Sequence, residues 1–290
     1  MSTRFVPLLI LALGTALAAA PSQDGLVYGE AGGQKLTMDY YSPAGRGPHP
    51  AAIIIHGGGF VGGTSKNGSE AYCADFLAPA GYAVFSINYR LAPQVRLRAM
   101  TDDVRRAIRY IRHNARQWDV DPRRIALVGG SAGGYLSNMA GVDPAKPGRK
   151  AADPVDRESA AVEAVVTLFG PTDLRLMPDR PNHALAWERA EAGELSPIEH
   201  VTRHAPPFLL IHGDKDEAVP FEQSLAFQKK LRAAGVRCDL LVIPNGPHAT
   251  GSWHRVPGVP DWEKQMTEWL NGVLHHEGPI GAGIRAREPK

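Results

Sequence analysis

A serine set among glycines, Gly129-Gly130-Ser131-Ala132-Gly133, directly follows the apolar run at 125–128 and precedes a helical stretch. On a sharp strand-to-helix turn such a serine stands clear of the sheet as a nucleophile, and side chains on its flanks would crowd the turn. The five letters alone are a weak signal, because a glycine-rich turn with a capping serine spells the same thing. Their position between a strand and a helix gives them weight. A nucleophilic serine also needs a general base, a group that orients the base, and donors for the charge that develops on the carbonyl oxygen.

Candidates for those parts lie at other strand ends. After the apolar run at 51–55 comes His56-Gly57-Gly58-Gly59-Phe60. Three glycines let the main chain approach an oxyanion closely, so Gly58 and Gly59 are expected to donate, joined by the N–H of Ala132. His56 reads as structural. Glycine-rich loops also hold phosphates, but no lysine with Ser/Thr follows here in Walker spacing, and there is no G-x-G-x-x-G with a ribose-binding acid. After the run at 208–211 comes His212-Gly213-Asp214-Lys215-Asp216-Glu217-Ala218-Val219-Pro220. Asp216 is the expected orienting acid, with Asp214 as its rival. The base should come last in the chain order serine, acid, histidine. His248, in the turn Asn245-Gly246-Pro247-His248, fits that place, and His254 competes for it. His275 and His276 fall in or past the final helix, and His49, His113 and His183 read as surface residues. No cofactor or metal is expected: Cys73 and Cys238 form no C-x-x-C, and neither sits beside a histidine.

The elements that must position these residues alternate along the chain. Continuous apolar runs at 51–55, 82–87, 125–128, 162–169, 208–211 and 240–243 read as buried parallel strands. Residues 36–41 alternate apolar and polar, as an exposed antiparallel strand opening the sheet would. Amphipathic stretches lie between the runs, clearest at 101–118, where Val104, Ala107, Ile108 and Ile111 share one face and the arginines the other. Repeated strand–helix units predict an α/β fold with a mostly parallel, doubly wound sheet, whose ligands bind beyond the carboxyl ends of the strands. Residues 174–200, with proline, charge and little pattern, are expected to form a short cap insertion over the sheet.

At 290 residues and 43% hydrophobic content the chain can bury one full core, so a single domain over 21–290 is expected. Its 32 basic and 30 acidic residues leave a net charge of +2, too balanced for a nucleic-acid footprint and suited to a small neutral or weakly charged substrate. Residues 1–20 read as a cleavable signal peptide, with Arg4 ahead of an apolar run at 5–17 and a small-x-small pattern at Ala16-Leu17-Ala18. That run is shorter than the roughly 20 residues that span a bilayer, so a secreted or periplasmic protein with no membrane span after cleavage is expected. In an oxidising compartment Cys73 and Cys238 could pair, although nothing local brings them together. The oligomeric state is not legible.

Several blocks occur together and in order: His56 to Gly59, Asn88-Tyr89-Arg90-Leu91-Ala92-Pro93, Asp121-Pro122-Arg123-Arg124-Ile125, Gly129 to Gly134, Ser196-Pro197-Ile198, Pro206-Pro207-Phe208 and His212 to Pro220. The set resembles the hormone-sensitive-lipase-like branch of the α/β-hydrolase fold, and within it the bifunctional feruloyl and acetyl-xylan esterase (BD-FAE) group, over about residues 26–274. The resemblance implies ester hydrolysis through an acyl-enzyme, with Ser131, Asp216 and His248 as triad, a small-molecule or carbohydrate ester as substrate, and no cofactor. Departures from the group's pattern bear on the substrate. Gly130 stands where many relatives carry an acid, Tyr135 where a histidine or small residue is common, and Gln94-Val95-Arg96 where Phe-Pro is usual. A brief, fairly polar cap favours a short acyl group. An arylformamidase-like amidase or a short-chain lipase would use the same parts. An oligopeptidase-type enzyme would normally add a propeller domain, and a binding module on a dead hydrolase fold would typically have lost the nucleophile.

Overall fold

The computed structural model describes residues 20–67, 70–178 and 189–275. Residues 1–19 of the expected leader at 1–20, the middle of the cap insertion at 179–188 with His183, and His276 lie outside the described residues.

Each continuous apolar run is a strand of one sheet: β3 (His49–Ile55), β4 (Ala83–Ile87), β5 (Val120–Gly130), β6 (Ala164–Leu168), β7 (Phe208–Gly213) and β8 (Cys238–Ile243). Two earlier strands, β1 (Gln23–Ala31) and β2 (Gln34–Tyr41), form a hairpin turned by Gly32 and Gly33, both at positive φ. The strand order is β1-β2-β4-β3-β5-β6-β7-β8, parallel from β4 onward and antiparallel at the β1 and β2 edge. The expectation that residues 36–41 open the sheet as an exposed strand is therefore corrected. β2 lies between β1 and β4, so Met38, Asp39, Tyr40 and Tyr41 are buried, and the exposed edge falls to β1. His49, expected at the surface, is buried in β3 with Nδ1 3.0 Å from the Gly81 carbonyl.

Buried side chains of each central strand alternate between two layers, as a pleated strand dictates. Ile53, Ile55, Ile125 and Leu127 pack on one side, against α2 (Leu97–His113), α3 (Ala132–Val142) and α4 (Glu222–Ala233). Ala52, Ile54, Ala126 and Val128 pack on the other, against α1 (Cys73–Leu77) and α5 (Trp262–Leu274). Cys73 belongs to the second layer and Cys238 to the first, so the sheet separates two buried free thiols.

On α2 the expected apolar stripe of Val104, Ala107, Ile108 and Ile111 is buried. Each of the larger side chains contributes roughly 1.5–3 kcal/mol. The helix differs from expectation at both ends, starting at Leu97 and stopping at His113. Asn114 Nδ2 donates to the Tyr110 carbonyl at 2.8 Å, and a separate 3-10 turn, Ala115–Trp118, follows and ends at Asp119 with φ 51°. The arginine face is clamped rather than free. Arg105 pairs with Asp143 at 2.9 Å, Arg106 with Asp153 at 2.7 Å and Asp156 at 3.0 Å, and Arg112 donates to the carbonyls of Ser159 and Ala161. These contacts tie the segment after α3 to the helix.

Register brings the functional strand ends level. Ile55 lies beside Gly129, Gly130 beside Leu168, and Leu168 beside Ile211. No helix among the described residues is long and apolar enough to cross a membrane.

Candidate active site

Ser131 stands between β5 and α3 with φ 52° and ψ −119°, a conformation that L side chains rarely adopt. Neighbours hold it there: its N–H donates to the Leu168 carbonyl at 2.9 Å, and its carbonyl accepts from Tyr135 N–H at 2.9 Å. The turn can be this tight only because α3 comes very close to β3. A Cβ added at Gly133 would fall 2.0 Å from the Ile55 carbonyl oxygen.

The loop after β8 delivers His248. Its Nε2 is 3.0 Å from Ser131 Oγ and its Nδ1 2.7 Å from Asp216 Oδ2, so the three predicted residues form one hydrogen-bonded line. The Asp216 carboxylate is fully buried and accepts three hydrogen bonds, with His212 Nε2 as a further neighbour. Oδ1 accepts the N–H groups of Ala218 (2.8 Å) and Val219 (2.9 Å), while Oδ2 faces His248 Nδ1 and His212 Nε2, the latter at 3.2 Å. Burial would raise this carboxyl, but the hydrogen bonds from His212, His248 and Val219 hold it well below the usual carboxylate range. Because an ionised carboxylate only accepts, the His248 proton sits on Nδ1 and leaves an Nε2 lone pair facing Ser131.

The rivals lie elsewhere. Asp214 accepts the Asn245 N–H at 2.7 Å in an exposed turn. His254 is mostly exposed and points to Glu263 at 3.6 Å, and His275 faces Arg124. His56 is buried, stacked on Tyr89 at 4.3 Å, with Nδ1 2.7 Å from the Gly57 carbonyl. Desolvation pushes its pKa down.

Above Ser131 opens a cavity of about 580 Å³, lined by Gly58, Gly59, Ala132, Met177, Val219 and His248 among others. Among the described residues, none accepts a hydrogen bond from the N–H of Gly58, Gly59 or Ala132. Among the described residues, His248 is the one ionisable side chain that lines the cavity. Among the described residues, four that are not glycine border it at positive φ: Phe60 (68°), Ser131 (52°), Phe169 (44°) and Ala249 (80°). Such strain persists only where surrounding structure enforces it. Part of that enforcement is aromatic. Phe169 packs edge-on to His248 at 4.6 Å and to Trp253 at 5.4 Å, and Trp253 Nε1 donates to the Pro247 carbonyl at 2.8 Å.

The described roots of the cap insertion are fastened beside the cavity. Gln223 Oε1 accepts the N–H groups of Thr172 (2.7 Å) and Asp173 (2.8 Å), and its Nε2 lies 3.2 Å from the Met177 sulfur. Ser196 Oγ accepts the Leu174 N–H at 2.8 Å, joining the two roots. Among the described residues, no group of three or more His, Cys, Asp or Glu is arranged to hold a metal ion.

The BD-FAE family model matches residues 38–231, from β2 to the end of α4. The chain belongs to the BD-FAE family. Esterase LipC of Mycobacterium tuberculosis is 33% identical over 237 residues, 77% of this chain and 58% of LipC. The chain thus spans well under two thirds of that relative's length. Among solved structures, a truncated carbohydrate esterase from gut microbiota has a TM-score of 0.75 at 28% identity, covering 89% of this chain and 98% of that one. An acetyl ester-xyloside bifunctional hydrolase from Caldicellulosiruptor lactoaceticus has a TM-score of 0.74 at 27% identity, covering 87% and 97%. The architecture is that of the α/β-hydrolase fold.

In this BD-FAE chain the structure adds residues to the site that the sequence pattern did not single out. His212 was visible only as part of a motif and Phe169 as the end of an apolar run, and Trp253 was not singled out. A signal existed for His212 alone, four residues before Asp216 at the end of an apolar run.

Proposed function

We propose that this BD-FAE domain is a serine carboxylesterase for short-acyl esters, with acetyl or feruloyl esters of carbohydrates as the substrate class. The observation that carries the reading is the line Asp216–His248–Ser131, at 2.7 and 3.0 Å, beneath three N–H groups that have no acceptor among the described residues. In this reading His248 Nε2 takes the Ser131 proton as Oγ bonds the acyl carbon. The carbonyl electron pair moves to oxygen, where the N–H groups of Gly58, Gly59 and Ala132 receive it. Collapse expels the alcohol, which leaves with the proton from His248. Water then attacks the acyl-enzyme, His248 takes its proton, and the acid departs as Ser131 regains a hydrogen. Asp216, held ionised, fixes the tautomer and stabilises the imidazolium.

Among the described residues no lysine, arginine or carboxylate lines the cavity, which favours an uncharged ester, and Phe60, Phe169 and Met177 give its wall apolar surface for an acyl group. The esterase names of similar proteins agree with this reading. Hydrolysis of p-nitrophenyl acetate, lost to a trace in Ser131→Ala, is the direct test, and substantial activity in that variant would overturn it. Release of acetate from acetyl-xylan against ferulate from methyl ferulate then separates the two acyl classes. Export rests on the leader at 1–20. A reporter fused to those residues should leave the cytoplasm, and its retention there would count against secretion.

A further inference from the structure

A buried acid that takes no part in these steps touches both halves of the site. Glu70 lies in the turn entering α1, where its carbonyl accepts the Cys73 N–H at 2.9 Å, and it is 0% exposed. Its Oε2 accepts the Gly57 N–H at 2.9 Å. Its Oε1 occupies the space beside Gly130: a Cβ built there would lie 2.1 Å from that oxygen. Gly57 in turn abuts the elbow, since a Cβ on it would lie 3.2 Å from the Gly130 carbonyl and 3.3 Å from Ser131 Cβ. The carboxyl group therefore fills the wedge between the first glycine of the loop and the residue before the nucleophile.

That wedge sits where a small movement matters. Gly57 immediately precedes Gly58 and Gly59, and a run of glycines has no side chains to pin its course. With Glu70 truncated, the buried Gly57 N–H would lose its acceptor, and the loop would turn to find another. Donors displaced by about 1 Å lose about 100-fold in rate.

We infer that Glu70 is a positioning residue for the oxyanion loop: it ties Gly57 to the elbow and so sets where the N–H groups of Gly58 and Gly59 point. The inference rests on the reading of those groups as oxyanion donors. It also explains why position 130 is glycine, since any side chain there would displace the Glu70 carboxyl.

The test compares wild type, Glu70→Gln, Glu70→Ala, Gly130→Asp and the double variant Glu70→Ala/Gly130→Asp, with kcat and KM for p-nitrophenyl acetate. Glu70→Ala should lose about 30- to 100-fold in kcat with KM within about threefold. Glu70→Gln retains an acceptor for Gly57 and should stay within about fivefold of wild type. Gly130→Asp alone should be poorly folded or inactive. The double variant, with an acid returned to the wedge, should exceed Glu70→Ala in kcat by about tenfold. A merely structural Glu70 would leave the double variant no better than Glu70→Ala, and that result overturns the inference, as does a folded Glu70→Ala with near wild-type kcat. If Glu70→Ala does not fold alone, a double variant within about thirtyfold of wild type supports the inference, and a weaker or unfolded one overturns it. Full activity in Ser131→Ala, by contrast, would sink the esterase reading itself.

Discussion

Replacing Asp216 by asparagine tests how the site sets the proton on its base. Oδ1 accepts two backbone N–H groups, from Ala218 at 2.8 Å and Val219 at 2.9 Å. In Asp216→Asn the amide oxygen must stay there, because an NH₂ facing two buried donors would leave them unpaired at about 1–3 kcal/mol each. The NH₂ then faces His248 Nδ1, which in wild type is 2.7 Å from Oδ2. His248 must accept at Nδ1 and carry its proton on Nε2, toward Ser131 Oγ at 3.0 Å. The lone pair that should take the serine proton is gone. Inverting the tautomer in this way lowers kcat by about 10⁴, or about 5.4 kcal/mol at 1.36 kcal/mol per decade. The assay is steady-state and burst-phase hydrolysis of p-nitrophenyl acetate, with thermal melting to establish that the variant is folded. Asp214→Asn is the control: it accepts only the Asn245 N–H in an exposed turn, which an asparagine can also do, so kcat should stay within about threefold. A folded Asp216→Asn that keeps more than about 1% of wild-type kcat would refute the reasoning.

Stability should respond to pH through the same carboxylate. Its folded pKa lies below that of an unfolded aspartate, so its contribution is complete above about pH 4 and is lost as pH falls toward the depressed value. The gap in melting temperature between wild type and Asp216→Asn should therefore be steady from about pH 8 to 5 and narrow below about pH 4; a gap that widens in acid would contradict the assignment. His212→Ala should destabilise by about 2–4 kcal/mol in urea unfolding. It empties a buried site and strands Ser224 Oγ, 2.7 Å from Nδ1, and the Val219 carbonyl, 3.0 Å from Nε2. The loss in kcat should be only about tenfold, since Asp216 keeps His248 and two N–H donors; a loss matching Asp216→Asn would assign His212 a larger role. Gly133→Ala should cost about 3 kcal/mol or more, because its Cβ meets the Ile55 carbonyl at 2.0 Å and helix and strand backbones must part. A melting temperature within about 3 °C of wild type would show that α3 can shift without penalty.

The parallel part of the sheet was legible because strands buried on both faces must be apolar throughout, and the runs that became β3 to β8 are that kind of segment. The opening hairpin was not. β1 is an edge strand whose residues are mostly exposed or half-buried, and Gly25 and Gly29 interrupt any apolar pattern in it, so β2 looked like the edge. Helix α2 was placed by its stripe but not at its ends: it starts at Leu97 after an extended Arg96, and at its C-terminus the Asn114 side chain takes the Tyr110 carbonyl.

The same division holds at Ser131. That a serine would stand on a strand-to-helix turn was readable along the chain, because the constraint is local: glycines at the flanks, an apolar run before and a helix after. Asp216 and His248 were likewise readable at strand ends in the required order. It is chain packing that brings His248, 117 residues from Ser131, within 3.0 Å of it and turns Asp216 rather than Asp214 toward that histidine. The same is true of His212 sharing the carboxylate and of Glu70 filling the wedge beside Gly130. Turn geometry is written in neighbouring residues, whereas a buried hydrogen bond is settled by which backbone and side-chain groups the packed strands bring within about 3 Å, and no local pattern encodes that.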